Sequence, residues 1–344
     1  MSYQNLKMGK LLDLSQWFFS FWGIVISIAT FVGFMGNWWW FFELLDHPRP
    51  QYCLILVFAI IIGGISQQPK SFLFCIPLFL NMAIMLPLFV PPNRDFFAEN
   101  NQTNIGSNLQ LIHINLDIHN PDFNRTVEYL NSQPADIVFL QEVTSESLDF
   151  FETNLPEYQV VISQPKKYTH GVAMLVPKIS SPSVKIVKME IIHLPSYSTR
   201  PLILATITWS DRQVEILSLH VTRPRTSRFQ QLEFSAAAIW SQKILEKDDQ
   251  EVIIIGDFNS TPWSGRFRQF MNESKLNNSQ WGRGLQPTWN AQWPGLLRIP
   301  IDHCLHSQLI TTLNRQPGTN IGSDHLPLFV EFGLKSQQTS PEKR

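Results

Sequence analysis

Six places in the C-terminal two thirds of the chain set an acid, an amide or an imidazole where an apolar stretch stops or is interrupted. Asn115 closes Leu-Ile-His-Ile-Asn, and Glu142 follows Asp-Ile-Val-Phe-Leu-Gln. His220 follows Glu-Ile-Leu-Ser-Leu, and Asp257 and Asn259 follow Val-Ile-Ile-Ile-Gly. Asp302 sits within Ile-Pro-Ile-Asp-His, while Asp324 and His325 precede Leu-Pro-Leu-Phe-Val. Carboxylate and amide oxygens are what hard divalent cations such as Mg²⁺ or Mn²⁺ take as ligands, and imidazoles can serve a phosphate. Each residue alone has an ordinary explanation: a turn-forming Asn, a satisfied core histidine, an Asx turn at Asp257-Phe258-Asn259. The joint pattern carries the weight.

For these groups to meet, the apolar stretches must lie side by side. Strands are expected at Leu109–Asn115, Asp136–Gln141, Gln159–Ser163, Gly171–Val176, Val184–Glu190, Pro201–Thr208, Gln213–Leu219, Glu251–Gly256, Ile301–Leu305 and Leu326–Glu331. Helices are expected at Asp122–Ser132, Ser145–Asn154 and Arg225–Lys247, the last with Phe229, Leu232, Ala236, Ile239 and Ile244 at helical spacing. Many strands with a few helices imply a mixed α/β sandwich.

These segments, in this order, resemble the endonuclease/exonuclease/phosphatase superfamily with its deoxyribonuclease I-like fold. The resemblance rests on His-Ile-Asn115, Leu-Gln-Glu142-Val, Leu-Ser-Leu-His220-Val, Gly-Asp257-Phe-Asn259-Ser, Ile-Asp302-His and Gly-Ser-Asp324-His325-Leu-Pro, and covers about 109–332. It implies a four-layer α/β/β/α sandwich with the site at one end. It also implies roles: Glu142 as the main ligand of Mg²⁺ or Mn²⁺, with Asn115 and Asp324 in the metal or phosphate shell. Asp257 would orient or deprotonate the attacking water, and Asn259 would hold that water or a phosphoryl oxygen. His220 and His325 would donate to the phosphate, with Asp302 orienting His325. Asp117, His119 and His303 fall outside the pattern, and the sequence offers no acidic partner for His220.

Composition places this domain beside something different. Of 344 residues 44% are hydrophobic and only 16% charged, and 1–104 hold five basic and five acidic residues. The remainder nets −1, which is not the bulk charge of a nucleic-acid binder. Three cysteines, two of them in apolar runs, exclude a disulfide scaffold. Apolar runs at 17–36, 51–66 and 71–90 are expected as three transmembrane helices, the middle one short, with an interfacial cluster at Trp38–Phe42. The first run is too long for a signal-peptide core. A membrane domain over 1–92, a polar linker over 93–108, a catalytic domain over 109–334 and a polar tail over 335–344 follow. Lys7, Lys10 and Lys70 against Arg49 and Arg94 set the catalytic domain outside the cytoplasm, at the plasma membrane, if all three runs cross.

Superfamily members act on many phosphates, so fold does not settle substrate. A bilayer partner raises the effective concentration of any lipid substrate. The layout also resembles a membrane-anchored branch of the superfamily with N-terminal transmembrane helices, which includes phosphatases of isoprenoid lipid pyrophosphates. The expected function is therefore a membrane-anchored phosphohydrolase cleaving a phosphoester or pyrophosphate of a lipid phosphate. The alternatives are a tethered nuclease, for which Arg223, Arg225 and Arg228 could meet a backbone, and a non-catalytic membrane scaffold. Retention of Glu142, Asp257 and His325 argues against the scaffold.

Overall fold

The computed structural model describes residues 3–90, 108–179 and 181–335. Apart from Asn108 and Lys335, the expected linker and tail lie outside the described residues. The N-terminal elements are α1 (Tyr3–Gly33), α2 (Trp40–Leu44), α3 (Arg49–Ile65) and α4 (Cys75–Met85), the last flanked by 3₁₀ turns Pro69–Phe74 and Leu86–Leu88. Then come β1 (Leu109–Asn115), α5 (Asn124–Ser132), β2 (Ile137–Gln141), α6 (Ser145–Asn154), β3 (Tyr158–Gln164), β4 (Val172–Pro177), β5 (Val184–Ile192), β6 (Leu202–Trp209) and β7 (Arg212–Ser218). The chain continues through α7 (Ser227–Leu245), β8 (Gln250–Asp257), α8 (Gly265–Ser274), β9 (Asn277–Asn278), β10 (Asp302–His306), β11 (Ile310–Pro317) and β12 (Leu328–Leu334).

The strands make two six-stranded sheets, ordered β11-β12-β1-β2-β4-β3 and β5-β6-β7-β8-β10-β9. The parallel neighbours β1/β2 and β7/β8 are each joined through a crossover helix, α5 and α7, as parallel pairing requires. Alternate side chains decide the layering. Leu109, Leu111, Ile137, Phe139, Ile216, Ile253 and Ile255 pack between the sheets. Their sequence neighbours Ile112, Ile114, Val138 and Leu140 pack beneath α5 and α6, and Leu217, Val252 and Ile254 pack beneath α7 and α8. This is the four-layer α/β/β/α arrangement.

The helical region is a bundle with a defined direction. Gly23 meets Phe74, and Asn81 Nδ2 donates to Thr30 Oγ1 at 2.9 Å, so α1 and α4 run parallel. Phe19 meets Phe58, and the Arg49 guanidinium covers the Phe34 ring at 4.4 Å, so α3 runs antiparallel to α1. Leu12–Gly33 and Pro69–Leu88 are long and apolar enough to cross a membrane. Arg49–Ile65 is apolar but shorter, so among the described residues two segments, not the expected three, meet that length. The first helix also stops at Gly33, ahead of the expected boundary at 36, and turns follow it.

The bundle is seated on the sandwich. Trp263 Nε1 donates to the carbonyl of Asp46 at 2.8 Å, His47 Nδ1 lies 3.1 Å from Thr261 Oγ1, and Arg266 Nε stands 3.2 Å from Glu43 Oε2. Backbone amides of Gly282 and Gly284 donate to the carbonyls of Pro87 and Leu88. Met85, Leu88 and Trp263 form a buried apolar joint between the two parts.

Candidate active site

The face of each strand that fills the inter-sheet core turns polar at one end. On β1, Leu109 and Leu111 give way to His113 and Asn115; on β2, Ile137 and Phe139 give way to Gln141. On β8, Ile253 and Ile255 give way to Asp257, and on β10, Cys304 is preceded by Asp302. β1, β2 and β8 end there and β10 begins there, so these groups share a rim. Gln141 ties the sheets together: its Nε2 donates to the Leu219 carbonyl at 3.0 Å and its Oε1 accepts from Asp257 N at 3.3 Å. Gly256 is required by space, since a Cβ there would stand 1.9 Å from the Leu219 oxygen.

All eight expected residues meet at this rim through direct contacts or charge. Asn115 Nδ2 donates to Asp257 Oδ2 at 3.3 Å, and Asn259 donates to the same carboxylate from N at 2.7 Å and from Nδ2 at 3.1 Å. His325 Nδ1 is 2.9 Å from Asp302 Oδ2, which leaves its Nε2 facing Asp257 Oδ2 and Asp324 Oδ1, each at 3.8 Å. Glu142 Oε2 accepts from Ile118 N at 3.3 Å, and the charge of His325 acts on it. Asp324 Oδ2 accepts from Trp289 Nε1 at 2.9 Å. The acidic neighbour that the sequence did not offer His220 is Asp257, whose Oδ2 lies 3.7 Å from Nε2, beyond hydrogen-bond length.

Sequence reasoning missed two histidines. His113 Nε2 is 3.0 Å from Asp302 Oδ1, so Asp302 holds one imidazole on each oxygen. Strand parity would have found it, because His113 shares the inward face of Asn115. His170 stacks obliquely on His220 at 5.0 Å between ring centroids, and no local pattern marks it. The three residues left outside the pattern bring no side chain into these contacts. His119 is exposed, Asp117 closes a local turn onto Asn115 Oδ1, and His303 packs against Phe258 and Phe267 while bonding the Ser260 carbonyl at 2.8 Å.

Electrostatics separates the groups. Burial pulls His325 down, but the carboxylates of Asp302 and Asp257 outweigh it and hold the imidazolium to about 10. Burial alone would raise Asp302; His325 and His113 together keep it well below the ordinary carboxylate range. Burial pushes Asp257 up to about 7 against the pull of His325, with Asp302 and Glu142 adding to the push. Burial also raises Glu142, opposed by the Ile118 amide, His325 and the exposed Arg223. His220 is driven well below its ordinary value by burial, then by His170 and Arg200. Glu142, Asn259 and His170 all hold φ between +47° and +83°, a strained backbone of the kind functional sites keep.

Ligand atoms of Asp257, Asp302 and His325 lie within 4.8 Å of one another, close enough to share a cation. The proton on His325 already serves that trio. Glu142 and Asp324 remain, with the Asn115 amide beside them, so four carboxylates gather around His325. An oxygen-rich, net-negative donor set of this kind fits a hard divalent cation.

Solved structures share this fold. Zebrafish (D. rerio) TDP2 complexed with a single-strand DNA product is 19% identical, with a TM-score of 0.55 over 66% of this chain and 99% of that one. An endonuclease/exonuclease/phosphatase family protein from Bacteroides thetaiotaomicron is 18% identical, with a TM-score of 0.54 over 67% and 99%. The human Nocturnin catalytic domain with bound sulfate is 21% identical, with a TM-score of 0.52 over 66% and 94%. No curated protein matches the chain in sequence. The family model for the Endonuclease/Exonuclease/phosphatase family matches residues 102–325, so the chain belongs to that family and is a metal-dependent hydrolase acting on phosphate ester bonds.

Proposed function

We propose that this enzyme is anchored in a membrane and cleaves a phosphoester or pyrophosphate bond of a lipid-linked phosphate. The observation that carries the reading is the seating of the bundle on the site. The segment from Thr261 to Arg266, which contacts Glu43, Asp46 and His47, follows within two residues of Asn259. The rim is thereby held at a fixed place against the apolar helices, instead of hanging on a flexible linker. Because α1 and α4 run in the same direction and both end at the sandwich, the chain must return between them, and α3 is the return. Its 17 residues span about 25 Å at 1.5 Å per residue, a mismatch a bilayer accommodates by local thinning. Three crossings would then set the catalytic domain on the opposite side from the N-terminus, outside the cytoplasm on the charge pattern of the sequence.

In the reaction, Asp257 orients the attacking water and takes its proton, which its raised affinity near neutral pH suits. Asn259 and Asn115 fix the Asp257 carboxylate. His325, held as an imidazolium by Asp302, directs its Nε2 proton to a phosphoryl oxygen, and neutral His220 gives a second hydrogen bond without adding charge. A divalent ion (Mg²⁺ or Mn²⁺) on Glu142, with Asn115 and Asp324 beside it, would supply Lewis-acid charge at the phosphoryl group. The water oxygen bonds to phosphorus as the bond to the leaving oxygen breaks in line.

A tethered nuclease is the second reading, favoured by Arg223 beside Glu142 and by the fold shared with TDP2, whose structure holds a DNA product. The test is the full chain in nanodiscs with Mg²⁺ or Mn²⁺, offered phosphatidic acid, farnesyl pyrophosphate or single-stranded DNA. Phosphate release from a lipid is expected. Rapid DNA cleavage with inert lipids would establish the second reading instead.

A further inference from the structure

An open groove of about 720 Å³ runs between α3, α4 and the loop at 285–298, a size that small-molecule ligands fill. Leu54 and Val57 line it from α3, Phe79 and Met82 line it from α4, and Leu296 and Arg298 close the sandwich end. Arg298 carries the only charge in this lining. Its guanidinium holds the carbonyls of Trp293 at 2.8 Å and Ala291 at 2.9 Å, with no carboxylate in ion-pair range among the described residues.

The loop has a second face, on the active site. Pro287 lines the groove, while the next residue, Thr288, accepts the Asp302 amide on its Oγ1 at 3.3 Å. Trp289 Nε1 holds the Asp324 carboxylate at 2.9 Å, and Ala291 N holds the Asp324 carbonyl at 2.7 Å. Groove and site are thus the two sides of one loop. Trp293, Leu296 and Leu297 stand exposed on it, which a loop facing only water has no reason to display. The groove is apolar along the helices and cationic at the end nearest the site, a polarity that matches an anionic lipid and not a nucleic acid.

We infer that the groove holds the hydrocarbon tail of the lipid phosphate substrate, with Arg298 and the loop at 285–298 passing its headgroup to the rim. This rests on the membrane reading above and adds the place where the lipid is selected. In nanodiscs, a hexadecyl phosphate with a diazirine in its tail should label Leu54, Val57, Phe79 and Met82, and farnesyl pyrophosphate should compete the label away. Equal labelling of the outer face of α1, at Trp17, Phe21 and Ile28, would overturn the inference. Val57→Trp and Met82→Trp, both at exposed positions, should lower the ratio of kcat/KM for farnesyl pyrophosphate to that for p-nitrophenyl phosphate at least tenfold. Ile28→Trp should not lower it. If wild type cleaves lipid phosphates and the groove variants leave the ratio unmoved, the groove assignment alone falls. If wild type cleaves p-nitrophenyl phosphate but no lipid phosphate, the membrane-lipid reading falls with it.

Discussion

Two clusters of buried charge in this molecule obey different rules. In the bundle, Arg49 is wholly buried and bonded to Asp46 and to Asn81 Oδ1 at 2.6 Å, with Asn81 continuing to Thr30. Arg49 bonds one anion, whose charge Arg268 also feels, and the amide extends the pair across three helices. At the rim, Glu142, Asp257, Asp302 and Asp324 surround the imidazolium of His325. The first cluster is balanced and holds the fold. The second has excess negative charge at a place where a cation and a phosphate must come and go.

The largest effect should follow from breaking the second cluster. Asp257→Ala or His325→Ala should lower turnover by about 10³-fold, within the range expected for a general base or a charge-stabilising donor. Equal rates in wild type and both variants would end the catalytic reading. Breaking the first cluster should act on stability. Arg49→Met leaves Asp46 buried without its counter-charge and should cost about 3–5 kcal/mol of stability, read as a lowered Tm in detergent. Asp46→Asn together with Arg49→Met should recover most of it, because removing both charges removes the imbalance. A double variant no better than the single would show that the pair does more than neutralise itself.

Glu43 sits between the two clusters, at the joint where the bundle meets Arg266. Its oxygens receive no hydrogen bond among the described residues, and burial pushes its carboxyl up to about 7 from 4.5, against the pull of Arg266. The unfolded chain gives up this proton near pH 4.5 and the folded one near 7, so between them the folded state binds more protons and stability falls as pH rises. At 1.36 kcal/mol per unit the loss is about 3 kcal/mol, complete above pH 7. Glu43→Gln should make the Tm profile less steep between pH 5 and 8, leaving the share that belongs to Asp257. An unchanged slope would place the titration elsewhere.

How much of this was legible in the sequence depended on backbone periodicity. Strands buried on both faces read as apolar runs, so β1, β2 and β8 were visible, and the rim residues were visible because they end those runs. β11 was not: Ile-Thr-Thr-Leu-Asn-Arg-Gln-Pro is a mostly polar edge strand, held by backbone pairing to β12. α8 was missed because Phe267, Phe270 and Met271 are a short apolar stripe, although its Ser264 N-cap was readable. Arg49 was read as a free charge setting topology. Its pairing with Asp46 lies three residues back, but its bond to Asn81 depends on helix packing that no local spacing reveals. His113 was passed over for want of one step of strand parity.

The smallest effect is the one that separates the clusters most directly. A cation that binds the folded site and not the unfolded chain stabilises by RT ln(1 + [L]/Kd), about 2.7 kcal/mol at a hundredfold excess over Kd. Mg²⁺ or Mn²⁺ should therefore raise the Tm of the full chain by several degrees, and EDTA should reverse the rise. Glu142→Gln should abolish the shift, since it removes the carboxylate assigned as the main ligand, while Asp46→Asn with Arg49→Met should keep it. The ion responds to clustered uncompensated carboxylate, which the rim has and the Arg49–Asp46 pair does not. A shift that survives Glu142→Gln but vanishes with Asp324→Asn would move the ion from Glu142 to Asp324.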